Sequence, residues 1–166
     1  LKAMNARVVF ESCPNAPKTI HKYESSDFLT AKARNLGVHL AISPGENDKI
    51  DDSLIKNFST RIAERIGLGD QPWVLFEHTD ITRKHYHLQS TRARKDGTVC
   101  SSAYLKYRVF TAAKDLCEEM HFSFAVSDGL EFPLIEKYEK ATGYITVQFQ
   151  TLLNKVLEES PASWQE

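Results

Sequence analysis

Apolar residues recur along the chain with two spacings, and each spacing marks a kind of element. Leu54, Phe58 and Ile62, with Ile55 and Ile66 beside them, fall at helical spacing behind Asp51-Asp52-Ser53, and Gly67 follows them. That pattern predicts an amphipathic helix with a capped start and a glycine stop. Leu105, Val109, Ala112, Ala113, Leu116 and Met120 repeat the spacing and predict a second helix over 101–120. A short helix is expected over 28–36, after the capping residues Ser25, Ser26 and Asp27 and before Gly37, whereas 12–23, with Pro14, Asn15 and Pro17, reads as a loop. Strands are expected at 38–42, at Trp73-Val74-Leu75-Phe76 and at 85–92, with a tight turn at Lys95-Asp96-Gly97-Thr98 and a short alternating strand at 122–126. Ile145, Val147 and Phe149 alternate with polar residues and leave the element type open, and Leu152, Leu153, Val156 and Leu157 fit a helix running to Glu159. The two best strands are joined by a hairpin-length loop. The expected fold is therefore α+β, a central, mainly antiparallel sheet flanked by helices.

Composition narrows the class. A chain of 166 residues, 42% hydrophobic and 26% charged, is expected to form one domain over 1–166, burying roughly 70% of its unfolded surface. No apolar run approaches the roughly 20 residues that a membrane span requires. The opening Leu-Lys-Ala-Met-Asn-Ala-Arg lacks the apolar stretch of a secretory signal, so a cytoplasmic location is expected. Cys13, Cys100 and Cys117 are odd in number and lack CxxC spacing, and they are expected to be reduced.

Net charge is -1, but its distribution is uneven. From 81 to 108 there are seven basic residues, Arg83, Lys84, Arg92, Arg94, Lys95, Lys106 and Arg108, against Asp96 alone, while from 115 onward ten acids face three bases. A basic block of this kind fits a phosphate-rich ligand. It lies against the densest group of histidines in the chain. His85-Tyr86-His87 places two imidazoles on one face of a strand, about 6 to 7 Å apart, and the preceding strand can set His78 opposite them. Three neutral imidazoles leave coordination positions open, as a catalytic metal site requires. Asp80 is the natural partner for the second N–H of a ligating histidine, or alternatively a turn cap. His39, on another strand, either approaches this site or belongs to the core or sheet edge.

The segment from Gly67 to Leu88, which contains His78-Thr-Asp80 and His85-Tyr-His87, resembles the HxDxxxxHxH motif of MobA/MobB-type mobilisation relaxases in the HUH endonuclease superfamily. The likeness extends over roughly residues 25–125. Val38-His39-Leu40-Ala41-Ile42-Ser43, the helix ending in Gly-Leu-Gly, the Lys95-Asp96-Gly97 turn and the helix through Tyr107-Arg108 follow in the family's order. The resemblance implies a nuclease that binds the single strand at a transfer origin and nicks it by tyrosine transesterification, during mobilisation of a plasmid or transposon. It implies a divalent metal on His78, His85 and His87, with Mg2+ or Mn2+ expected ahead of Zn2+ or Ni2+, and Asp80 beside it. Arg83, Lys84, Arg92, Arg94, Lys95 and Arg108 are expected on DNA, with accessory mobilisation proteins as further partners. Relaxases are commonly longer, so a larger parent protein is expected.

The chain departs from the family at the nucleophile. The tyrosine expected near the amino terminus falls at Met4 or thereabouts, and no tyrosine precedes Tyr23. The nucleophile is replaced, lies outside this chain, or is an internal tyrosine, with Tyr23, Tyr104 and Tyr107 as candidates. Two other readings of the histidines stay open at this stage: a zinc-dependent hydrolase of a small substrate, and a DNA-binding domain without nicking activity.

Overall fold

A computed structural model describes residues 6–25, 27–30, 33–45, 47–79, 84–123 and 144–149. Within them run β1 (Ala6–Glu11), α1 (Ala16–Glu24), β2 (Gly37–Ile42), α2 (Asp52–Arg65), β3 (Trp73–His78), β4 (His85–Thr91), α3 (Leu105–Met120) and β5 (Tyr144–Phe149). The strands form one sheet in the order β1-β3-β4-β2-β5, in which β5 pairs parallel to β2 and every other pairing is antiparallel. The α+β architecture expected from the pattern is the one observed.

Period-two alternation divides the sheet into two unlike faces. Leu40, Leu75, Tyr86 and Leu88 point to one face, where α2 and α3 cover them with Phe58, Ile62, Val109 and Leu116 to make the core. Local chemistry builds α2: the Asp51 carboxylate accepts from Leu54 N–H at 2.7 Å, and Gly67 takes φ 79°, a left-handed turn that glycine adopts without strain. On the other face α1 leans on β3 and β4. Glu11 Oε2 accepts from Ala16 N–H at 3.2 Å at its start, and Glu24 hydrogen-bonds Thr91 at its end.

Two expectations are corrected. The segment 12–23 is largely helix α1, because Pro17 sits in the first turn, where a missing N–H costs nothing. The helix expected over 28–36 is absent from its described residues, 28–30 and 33–36. Thr30 N–H donates to Gly97 O, the carbonyls of Arg34 and Asn35 accept from the Arg92 guanidinium, and Leu36 O accepts from Arg92 N–H. Those groups are spent on long-range bonds that no local helix could keep. β1, which is not among the strands expected above although it holds Val8-Val9-Phe10, is an edge strand. The open stretch 145–149 is a strand, while the strand expected at 122–126 has no strand at 122 or 123 and otherwise lies outside the described residues, as does the helix at 152–159.

Leu88 lies fully buried in β4 between two paired strands. Leu88→Ala is expected to cost about 2–5 kcal/mol of folding free energy, read as a lower urea midpoint.

Candidate metal centre

The β3–β4 ladder builds the site. His78 pairs directly with His85 and Phe76 with His87, so the odd residues of β4 and the even residues of β3 share a face. That is the face turned away from α2 and α3. The ring centroids of His78 and His87 lie 4.4 Å apart, those of His85 and His87 5.0 Å, and those of His78 and His85 5.4 Å. One ring nitrogen from each lies within 4.8 Å of the other two. A metal at 2.0–2.1 Å from each nitrogen sets tetrahedral ligand atoms about 3.4 Å apart, a closing that small side-chain rotations supply. The donor set fits a divalent ion.

His39 joins this group from β2, where it pairs with Gln89 and so shares the face of His87. Its Nε2 lies 2.6 Å from His87 Nδ1, and the two rings stack at 21°. Burial, then the neighbouring rings of His39, His78 and His85, pushes His87 down to about 3. His39 is pushed down to about 4, by burial first and then by His78. Both imidazoles are therefore neutral at pH 7, the state in which a ring nitrogen offers a lone pair.

On the opposite side of the strands, Glu77 is buried between cations. Arg7 bridges Glu77 and Asp52, reaching Asp52 at 2.8 Å, and Lys84 Nζ lies 3.2 Å from Glu77 Oε1. Burial acts to raise the Glu77 carboxyl, yet its bonds from Arg7 and Lys84 prevail and hold it below the usual range.

Among the described residues, the basic side chains expected on DNA are not gathered around the histidines. Lys84 precedes His85 but turns to Glu77. Arg92 is buried, its Nε donating to Cys100 O at 2.9 Å and its Nη1 to Asn35 O at 2.9 Å. Arg108 spans Ile66 O at 2.8 Å and Ser101 O at 3.0 Å. Both guanidinium groups tie backbone segments together, a use that charge counting along the chain does not reveal. Arg94 and Lys95 are exposed beyond the end of β4, and the end of that strand, Thr91, lies roughly 13 Å from His87. They line a shallow cleft with Gly67, Asp70, Gln71 and Asp96. Asp80, Arg83 and Met4 lie outside the described residues. Of the candidate tyrosines, Tyr23 is half-buried and stacked on Phe28 at 5.4 Å, while Tyr104 and Tyr107 are exposed at the start of α3, which covers the other face. Among the described residues no helix is long and apolar enough to cross a membrane.

A family model described as Relaxase: MobA/VirD2-like, nuclease domain matches residues 4–122. Neither the curated proteins nor the solved structures contain a match to the chain.

Lowered histidine pKa values fix a pH dependence. An unfolded histidine titrates near 6.5, whereas folded His87 and His39 titrate at about 3 and about 4. As pH falls below about 6.5 the unfolded chain takes up protons that the folded one does not, so stability is full above that value and declines towards pH 4. Urea midpoints of the metal-free protein should therefore drop between about pH 7 and pH 5, and drop less in His87→Gln.

Proposed function

The chain belongs to the MobA/VirD2-like relaxases, and on that premise we propose that it binds the single strand at a transfer origin and nicks it with a metal held by His78, His85 and His87. The observation that carries this reading is the convergence of three ring nitrogens on one sheet face, built by the β3–β4 register. Among the described residues the metal-ligating group contains histidines and no carboxylate. Such donors suit Mn2+, Zn2+ or Ni2+ better than Mg2+, which favours oxygen ligands. A bound ion supplies positive charge that polarises the scissile phosphate and offsets charge developing in the transition state.

The histidines hold that charge in place. His87, buried between β3 and β2, is the rigid ligand, and the half-buried His78 and His85 face the substrate side. Nicking transfers the phosphate to a tyrosine: the hydroxyl oxygen bonds to phosphorus, the bond from phosphorus to the 3′ oxygen breaks, the hydroxyl proton ends on that oxygen as a free 3′-hydroxyl, and the 5′ phosphate stays on the protein. Arg94 and Lys95 take backbone phosphates of the flanking strand at a distance from the metal. The presence of Met4 where the family's tyrosine is expected favours a second reading, a domain that binds DNA without cutting it.

Labelled transfer-origin oligonucleotides separate the two readings. With Mn2+ at low salt, a retarded complex is expected for the chain, and His85→Ala should lose both the complex and calorimetric metal binding. A denaturation-resistant adduct on the 5′ phosphate reports nicking. An adduct seen only after Met4→Tyr identifies the binding-only state, and no DNA binding at low salt contradicts both.

A further inference from the structure

His39 lies outside the metal-binding triad, yet its Nε2 lies 2.6 Å from Nδ1 of His87. We propose that His39 is a positioning residue, whose Nε2 accepts the Nδ1–H of His87 and thereby presents His87 Nε2 to the metal. The inference rests on the metal-centre reading above.

A contact of 2.6 Å between two ring nitrogens holds one proton, carried by one ring or the other. With Nδ1 facing His39, the nitrogen of His87 left for a metal is Nε2, and ligation there removes any proton from it. The neutral ring must then carry its proton on Nδ1. His87 is the donor, His39 Nε2 the acceptor, and His39 keeps its own proton on Nδ1. The backbone prepares this arrangement: Ala41 stands directly opposite His87 across β2 and β4, and its small side chain leaves space for His39, two residues away on the same face, to lean over the His87 ring.

An imidazole differs from a carboxylate in this position. A carboxylate partner adds negative charge and makes the ligand more basic. A neutral ring fixes tautomer and orientation without adding charge, so the centre keeps its full attraction for a phosphodiester.

Zinc titration calorimetry on the whole chain tests the proposal, with the metal-free thermal melt of each variant as a control. His39→Leu is expected to bind Zn2+ 10–100-fold more weakly, while His39→Gln, which returns an acceptor near the Nε2 position, should stay within several-fold of wild type. A purely packing role predicts the reverse order, with the apolar variant nearer wild type. Nitrogen-15 imidazole spectra of the zinc-loaded wild-type protein give a second reading that needs no variant: a proton on His87 Nδ1 and none on His39 Nε2. Unchanged zinc affinity in His39→Leu, or a proton on His39 Nε2, would overturn the assignment of His39 alone. Failure of the wild-type chain to bind Zn2+ would instead overturn the metal centre itself.

Discussion

The antiparallel register of β3 on β4 sets His78 against His85 and Leu75 against Leu88, and both the core and the site follow from it. Because strand side chains alternate, a slip of one residue would turn the histidines into the apolar layer under α2 and α3 and expel Tyr86 and Leu88 from it. Polar contacts pin the ladder at both ends. Ser90 Oγ donates to Pro72 O at 2.9 Å where β3 begins, and Lys84 pairs with Glu77 where β4 begins. Glu77 is in turn held by Arg7 of the edge strand and, through Arg7, linked to Asp52 in the first turn of α2. The worth of these ion pairs lies in alignment, since Arg7 and Lys84 are half-exposed and solvent screens them.

One hairpin thus serves two opposed demands. Tyr86 and Leu88 of β4 lie in the apolar core, while His85, His87 and Gln89 stand on the opposite face beside His78 and His39. The cost is concentrated at His87, whose ring is buried and held neutral chiefly by that burial, so that in the proposed centre this ligand is in place before any metal arrives. Preformation of this kind spares the entropy of ordering ligands at the moment of binding. His39 stacks on the same ring, with its Nε2 2.6 Å from His87 Nδ1.

The elements best legible in the sequence are those whose local chemistry and tertiary role agree. α2 has its Asp51 cap, its apolar spacing and Gly67, and it forms as expected. The hairpin and its three histidines were legible for the same reason, since period two alone brings His85 and His87 to one face. Elements set by distant partners were not. Pro17 looks like a breaker until Glu11 anchors the start of α1, and residues 28–36 look helical until Gly97 and Arg92 claim their polar groups. The surroundings of the basic residues were hidden in a related way. Charge is countable along a chain, whereas the use of Arg92 and Arg108 as backbone ties depends on loops remote in sequence.

The central claim is that β3 and β4 together hold one divalent ion on three imidazoles. Anomalous diffraction from a Mn2+-soaked crystal, collected at the metal's absorption edge, tests it most directly. A single strong peak within ligand distance of a ring nitrogen of each of His78, His85 and His87 is the predicted result. A peak elsewhere on the surface, or one touching fewer than three of these rings, would contradict it.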